Sequence, residues 1–180
     1  MRPIIQLSSG KYFDLLRPEL AEFTIHDIAA ALSKLCRFTG HTREFYSVAQ
    51  HSVLVSQEAP EELKMNALLH DAAEFVLGDV ASPLKSLLPH YKMLEASVQQ
   101  AVRNKFNYGF ECTHPAVKHL DLVLLATERR DLMPNGDDSE WEILKGIAPL
   151  SRHIQPLPPA EAYRLFIGQY NSIATEEDKP

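Results

Sequence analysis

Apolar side chains recur every three or four residues over most of the chain after Thr24, and this spacing constrains the fold more than any other feature. Apolar positions at that interval lie on one face of an α-helix, which other helices must cover. The segment from Ile25 to Cys36 has this pattern. It follows Thr24 as an N-cap residue, with Asp27 three residues later as a weak capping box. We therefore predict a mostly helical fold.

The same periodicity and the turn-forming residues divide the rest of the chain into further helices. In chain order, the predicted helices are Tyr46 to Gln57, Pro60 to Leu77, a short turn opened by Ser82-Pro83, Tyr91 to Phe106, a helix capped by Thr113 that reaches Leu132, a short one from Glu140 to Lys145, and Ala160 to Tyr170.

The clear β signal is confined to residues 1–18. Ile4–Leu7 and Tyr12–Leu15 flank Ser8-Ser9-Gly10, which predicts a small hairpin. A length of 180 residues fits one domain. We predict an all-α single domain over residues 1–180, with a core at about 24–133, the hairpin at 1–18, and C-terminal helices with a frayed tail at 139–180.

Composition excludes several classes of partner. The 18 basic against 24 acidic residues give a net charge of −6, which argues against a nucleic-acid polymer as partner. No apolar stretch approaches the ~20 residues of a membrane span, and the N-terminus lacks the apolar core of a signal peptide. We expect a cytoplasmic protein that does not bind membranes. Two cysteines, Cys36 and Cys112, without a CxxC pair do not indicate a disulfide scaffold.

Ionisable residues interrupt the apolar stretch that runs from residue 67 to residue 77. His70, Asp71 and Glu74 lie within it, and burying such groups costs several kcal/mol unless they are paired or bind a metal. On a helix, His70 and Glu74 share a face, and Asp71 lies about 100° round from His70. Gly78 ends this predicted helix and leaves Asp79 free to turn back towards them.

Two further ionisable residues lie in apolar surroundings, His51 and Asp121. Taken singly, a histidine of this kind is usually a core residue, and Asp121 has candidate ion-pair partners in Lys118, Arg129 and Arg130. In combination, His51, His70, Asp71 and Asp121 form a mixed nitrogen and oxygen ligand set. Such a set suits one divalent transition metal (Zn, Mn, Co, Ni or Fe) better than calcium or a thiolate site.

The order His51, His70-Asp71, Asp121 resembles the HD-domain metal-dependent phosphohydrolases. The closer resemblance is to the bacterial 5′-deoxynucleotidase-like branch and to related small bacterial or phage HD hydrolases. It spans about residues 24 to 133 and includes the segments LSKLCRF (32–38), YSVAQHS (46–52), LHDAAE (69–74), GDVASPLK (78–85) and KHLD (118–121).

The resemblance implies a role for each matching residue. The four metal ligands are His51, His70, Asp71 and Asp121. Glu74 and Asp79 match the catalytic acidic residues, and Arg37 and Phe38 match a substrate-binding arginine on the first core helix and the aromatic residue beside it. Lys85 is a further cationic candidate for the phosphate, with solvated surface charge as its alternative. Gln50 departs from the pattern, because many relatives have Glu before the first His.

The predicted function is hydrolysis of a phosphate ester by a metal-activated water, with release of phosphate from deoxynucleoside 5′-monophosphates. One alternative is a deoxynucleoside triphosphate triphosphohydrolase, for example selective for dATP, for which Arg43 and Lys34 are candidate extra cations. Another is a non-catalytic metal- and nucleotide-binding sensor domain. The expected partner is a small-molecule nucleotide, and the relatives imply a homodimer.

Three other features have structural interpretations at this stage. Cys36 is expected to pack on the core face of the first helix. The Glu128-Arg129-Arg130-Asp131 run is expected to be a solvated face with local ion pairs, or a dimer contact. Trp141 is expected to cover the core, with base stacking as the alternative.

Overall fold

The computed structural model of the protein describes residues 2–108 and 114–174, and the chain is mostly helical with a small N-terminal hairpin. The strands are β1 (Ile4–Gln6) and β2 (Tyr12–Asp14), and the α-helices are α1 (Ile25–Leu32), α2 (Val48–Glu58), α3 (Lys64–Leu68), α4 (Glu74–Leu77), α5 (Ser82–Ser86), α6 (Pro89–Phe106), α7 (Pro115–Leu132) and α8 (Pro159–Ile173). Short 3-10 turns lie at Pro18–Leu20, Phe38–Gly40, Glu61–Leu63, Asp138–Glu140 and Glu142–Leu144.

The predicted hairpin is confirmed. Strands β1 and β2 pair antiparallel, with Ile5 opposite Phe13. Phe13 is fully buried, and its ring packs against Phe23 and Phe75 at centroid distances of 5.6 and 5.3 Å. The hairpin therefore covers one end of the helical core, through a cluster of aromatic rings.

The first helix is shorter than predicted. Thr24 and Asp27 form a complete capping box at its start, as the sequence indicates, but α1 ends at Leu32. Beyond it the chain is extended, because Cys36 pairs with Ser47 as an isolated antiparallel bridge and the Arg37 N–H donates to the Tyr46 carbonyl. The expectation that Cys36 lies on a helix face is therefore wrong.

The single helix predicted from Pro60 to Leu77 is also wrong, because the chain breaks into a 3-10 turn, α3 and α4 with a non-helical turn at 69–73 between the last two. The side chain of Gln99, on α6, hydrogen-bonds the backbone that this break leaves without helical partners. Its amide donates to the Leu69 carbonyl at 2.6 Å, and its oxygen accepts from the Ala73 N–H at 2.9 Å. The Leu69 carbonyl and the Ala73 N–H at the break therefore have a hydrogen-bond partner inside the protein.

Helix α2 lies at the centre of the fold and packs against α3, α7 and α8. Two apolar clusters meet on it. One includes the hairpin, α1, α6 and α8, and the other lies between α2, α3 and α7. Side chains on nearly every face of α2 are therefore buried, among them Ala49, His51 and Val53. This position takes a polar residue such as His51 out of contact with water.

The C-terminal third departs from prediction at its boundaries. Helix α7 begins at Pro115 with His114 as N-cap residue, and Thr113 lies outside the described residues. The short helix predicted from Glu140 to Lys145 is a pair of 3-10 turns. Helix α8 continues to Ile173, past the point where fraying was predicted, and residues 175–180 are not among the described ones. None of the described helices is long and apolar enough to cross a membrane.

Candidate metal centre

Three elements bring histidine and aspartate side chains to one point. His51 comes from α2, His70 from the turn between α3 and α4, and Asp121 from α7. The His51 Nε2 atom lies 3.1 Å from Asp121 Oδ1 and 3.3 Å from His70 Nε2. One donor atom from each of the three residues lies within 4.8 Å of the other two, so the group could hold a metal ion.

Asp71 lies beside this group. Its Oδ2 atom is 3.2 Å from His70 Nε2 and 3.7 Å from His51 Nε2. All four predicted ligands therefore converge, although His70 and Asp71 reach the site from a turn and not from the predicted helix. The turn resolves a difficulty of the helical interpretation, in which the two neighbours would point about 100° apart.

The spacing and the tautomers of the donors fit a divalent transition metal. Two ligands that are each ~2.1 Å from an ion lie ~3.0 to 3.4 Å apart at the angles of octahedral or tetrahedral coordination. Three of the donor pairs are 3.1 to 3.3 Å apart, while His70 Nε2 and Asp121 Oδ1 are 4.0 Å apart. His51 Nδ1 hydrogen-bonds Glu128, and His70 Nδ1 hydrogen-bonds the Ala67 carbonyl. In the neutral imidazoles both Nε2 atoms therefore carry the lone pair, and the two lone pairs face each other as they do on a shared cation.

Negative charge dominates the electrostatics of the centre. Burial and the Arg37 charge lower the pKa of His51, but Glu128 and Asp121 outweigh them and raise it to about 9. Burial alone would raise the pKa of Asp121, and the two imidazoles hold it below its usual value. A bound cation would offset the negative charge of these acids in place of the protons on the imidazoles. Metal binding at neutral pH should therefore release protons.

Glu128 is the main functional residue that the sequence analysis missed. It is fully buried and accepts hydrogen bonds from His51 Nδ1 at 2.6 Å and from Arg37 at 3.1 Å. The expectation that residues 128–131 form a solvated face is therefore wrong at this position, and Asp131 is likewise enclosed because it accepts from the Ile154 N–H. The overlooked signal is spacing, because Glu128 follows Asp121 by two helical turns and shares its face.

The partner of His51 thus comes from α7 and not from the residue before it. Gln50, which departs from the family pattern, instead hydrogen-bonds the backbone of the segment before α8. Its amide donates to the Gln155 carbonyl at 2.7 Å, and its oxygen accepts from the Leu157 N–H at 2.9 Å. Gln50 therefore fixes the extended connector that leads to α8.

Arg37 lies beside the centre, although it is in the extended segment after α1 and not on the helix as predicted. Its guanidinium contacts Asp71 at 3.5 Å and Glu128 at 3.1 Å, and its Nε atom has no hydrogen-bond partner among the described residues. Phe38 follows with a positive φ of 53°, a strained value for an aromatic residue, and its ring lies 5.5 Å from the Arg37 guanidinium carbon. Of the three predicted substrate-binding residues, Arg37 thus contacts a predicted metal ligand and Phe38 packs against Arg37.

Glu74 and Asp79 are the two predicted catalytic acids. Arg37 pairs with Asp71 and Glu128, and Lys85 pairs with Glu95, and neither cation forms an ion pair with Glu74 or Asp79 within the described residues. Glu74 is 4% exposed, and its Oε2 atom has no hydrogen-bond partner within the part of the chain that the structure describes. Burial, followed by the charges of Asp71 and Asp79, raises the pKa of Glu74 well above its usual range. Asp79 follows Gly78, whose φ of 78° turns the chain back, and burial raises the pKa of Asp79 too.

The remaining cationic candidates are engaged elsewhere. Lys85 forms an ion pair with Glu95 on α6 and lies over the Tyr91 ring at 5.6 Å. Arg43 donates to the Asp131 carbonyl and to Asn135, and Lys34 lines a cavity between α1 and the hairpin. Of the predicted phosphate-binding cations, Arg37 alone contacts a predicted metal ligand within residues 2–108 and 114–174.

Comparisons with known proteins identify relatives without a described activity. No family model matches the chain. Over 171 residues it is 43% identical to the uncharacterized protein YfdR of Escherichia coli (strain K12), and the match covers 94% of this chain and 95% of that protein. Over 140 residues it is 34% identical to an uncharacterized protein of Rhodobacter capsulatus, with 71% of each chain covered.

Proposed function

The chain belongs to the family that contains YfdR of Escherichia coli, and we propose that it is a metal-dependent phosphohydrolase of the HD type that releases phosphate from deoxynucleoside 5′-monophosphates. The helical fold and the His/Asp group are compatible with an HD-type domain.

The observation that carries the proposal is the buried carboxyl of Glu74 beside the His/Asp group, whose Oε2 atom has no hydrogen-bond partner among the described residues. A metal site that serves stability alone needs its ligands and the residues that hydrogen-bond to them. A buried acid that is neither a ligand nor such a partner does not stabilise it. Groups with strongly shifted pKa values in such surroundings are typical of catalytic sites. When bound, a divalent ion would lower the pKa of a water from ~15.7 towards ~7 and polarise a phosphoryl oxygen.

Three residues around the His/Asp group have separate roles in the proposed reaction. Asp79 accepts the proton of the attacking water. Glu74, whose pKa is raised by burial and by the neighbouring acids, donates a proton to the oxygen that leaves as the bond between phosphorus and O5′ breaks. Arg37, whose guanidinium contacts Asp71, binds the phosphoryl oxygens and stabilises their negative charge. The products are a deoxynucleoside and inorganic phosphate. In net terms, the water gives its hydroxyl group to the phosphate and its proton to O5′.

The positions of the other cations support a monophosphate substrate. A triphosphate brings additional negative charge, and the two candidates for binding it, Arg43 and Lys34, are engaged away from the metal ligands. We propose Zn, Mn, Co, Ni or Fe as the ion, because imidazole and carboxylate ligands suit these metals.

A release screen tests the proposal. The purified protein is loaded with Mn, Co, Zn or Mg and incubated with deoxynucleoside mono-, di- and triphosphates, and phosphate, pyrophosphate and tripolyphosphate are each measured. We expect phosphate from monophosphates alone. Tripolyphosphate from a triphosphate would replace the substrate class, and tight nucleotide binding without any release would identify a sensor domain. The Glu74→Gln variant is the matched control, because it keeps every predicted metal ligand.

A further inference from the structure

A large, open cavity lies beside the C-terminal half of α7 and is lined by α7 and by residues between 133 and 149. Its volume is about 1090 Å³, enough for a drug-sized organic ligand. None of the four predicted metal ligands lines it. The residues of its wall that matter here are Arg129, Asn135, Ser139, Trp141, Glu142 and Lys145.

Two planar groups meet in the wall of this cavity. The guanidinium carbon of Arg129 lies 4.7 Å from the centroid of the Trp141 ring. Aromatic rings and arginine guanidinium planes are the two kinds of side chain on which nucleic-acid bases stack. The pair therefore offers a surface that fits a flat heteroaromatic ligand better than a sugar or an aliphatic chain.

Phe38 connects this surface to the metal centre. Its ring lies 6.3 Å from the Trp141 ring and 5.5 Å from the guanidinium carbon of Arg37, which itself contacts Asp71. Both Phe38 and Thr39 have positive φ values, 53° and 52°, and such backbone strain at non-glycine residues persists where the surroundings impose it. The strained turn places one aromatic ring between the phosphate-binding arginine and the cavity.

Polar side chains supply donors and acceptors for the edge of such a ligand. The Oδ1 atom of Asn135 accepts from Arg43 at 3.4 Å, which turns the amide and leaves its two N–H donors for another partner. Ser139 and Glu142 add a hydroxyl and a carboxylate to the same wall. A base carries donors and acceptors at its edge, which matches this mixture.

We propose that this cavity is the nucleobase subsite, in which the base of a nucleotide packs against Trp141 while its phosphate lies at the metal centre. The inference rests on the proposed function for the position of the phosphate. It adds the part of the substrate that the cavity recognises and assigns Trp141 to substrate binding.

The chain contains one tryptophan, so its intrinsic fluorescence reports on this cavity directly. Metal-loaded protein is titrated with deoxynucleoside 5′-monophosphates, with deoxyribose 5-phosphate and with inorganic phosphate. We expect saturable quenching by the nucleotides and no saturable change with the two ligands that lack a base. Absence of nucleotide quenching, or equal quenching by deoxyribose 5-phosphate, would overturn the subsite.

Kinetics of Trp141→Leu give a second readout. The KM for nucleotides should rise about 5- to 150-fold, the equivalent of one lost base–aromatic stack, with kcat little changed. Hydrolysis of deoxyribose 5-phosphate should stay as in the unsubstituted protein, and Trp141→Phe should restore most of the nucleotide affinity. Ile143→Ala is the matched control, because Ile143 is an exposed side chain of the same segment that does not line the cavity. An equal loss with both substrates would contradict the inference.

The two readouts separate the subsite from the reaction. Quenching by nucleotides in a protein that hydrolyses none of them would refute the proposed function and support the cavity as a base-binding site. Hydrolysis of nucleotides without quenching would support the function and refute the subsite.

Discussion

Two buried carboxylic acids of this protein, Asp27 and Glu74, have opposite surroundings. Asp27 is 2% exposed and accepts four hydrogen bonds, from the Ser8 hydroxyl, the Ser9 N–H, and the N–H and hydroxyl of Thr24. Glu74 is 4% exposed, and one of its oxygens has no partner among the described residues. Burial raises the pKa of both acids, but the hydrogen bonds bring the pKa of Asp27 below its usual value, while neighbouring acids raise that of Glu74 further.

We interpret this difference as one between a structural acid, Asp27, and the proposed catalytic acid, Glu74. Asp27 stabilises the fold, because it fixes the start of α1 and the turn of the hairpin with an ionised group whose oxygens are both satisfied. When Glu74 is ionised, its burial lowers the free energy of unfolding, so its presence must bring a benefit other than stability. Catalysis is such a benefit, since destabilised groups are typical of active sites.

The largest expected effect follows from the removal of a metal ligand. Asp121→Ala should lose the bound ion and reduce phosphate release by more than about 100-fold, the upper range for loss of a hydrogen-bond partner of a ligand. Metal content by elemental analysis and turnover are measured on the same preparation. Full activity without bound metal would separate the reaction from the His/Asp group.

Glu74→Gln should lower turnover by about 10²- to 10⁴-fold, the usual contribution of a general acid or base, while the protein retains its metal. The same substitution should raise the stability of the folded protein while it lowers turnover. Because the pKa of Glu74 is raised, the folded protein loses stability as the pH rises above the unfolded pKa of ~4.3. Without metal, the Gln variant should therefore unfold at a higher temperature than the original chain, by a margin that grows as the pH rises above ~4.3. A variant that keeps full turnover would contradict the assigned role.

Glu128→Gln tests the residue that supports the centre without touching the ion. The variant loses the negative charge beside His51 and Arg37, and metal affinity should fall about 10- to 100-fold. Metal titration of the purified variant measures the change. The control is Asp131→Asn on the same helix, which removes the negative charge beside Arg130 and His153 and should leave metal affinity as it is.

Asp27→Asn should have the smallest effect on function and a clear effect on stability. The new amide donor faces donors, so that the free energy of unfolding should fall by about 1–3 kcal/mol with turnover retained. The lowered pKa of Asp27 means that its contribution is complete above the unfolded pKa of ~3.9 and is lost as the pH falls below it. Thermal unfolding at pH 7 and pH 3 should therefore show a gap between the two chains that narrows at the lower pH. A gap that is equal at both pH values would contradict the assigned hydrogen bonds.

The sequence predicts the fold type well, because it depends on local signals. The hairpin, the capping box of Thr24 and the five-turn span of α7 each arise from residues close in the chain. The break at 69–73 could not be predicted, since it depends on the Gln99 side chain about thirty residues away. Apolar periodicity continues through the break and therefore hides it.

The candidate site was predictable where its residues contrast with apolar neighbours. His51, His70 and Asp121 form a group that could hold a metal ion, and Asp71 lies beside it. Glu128 was overlooked because it precedes two arginines and an aspartate in the sequence, which is typical of a solvated face. Its burial depends on the packing of α7 against α2 and on the guanidinium of Arg37, and neither is a local property.

Diffraction from metal-loaded crystals, recorded at the absorption edge of the ion, tests the central claim most directly. We expect one anomalous peak per chain, within ~2.0 to 2.3 Å of His51 Nε2, His70 Nε2 and a carboxylate oxygen of Asp121. The absence of a peak at this position in crystals soaked with Mn, Co and Zn would contradict the account.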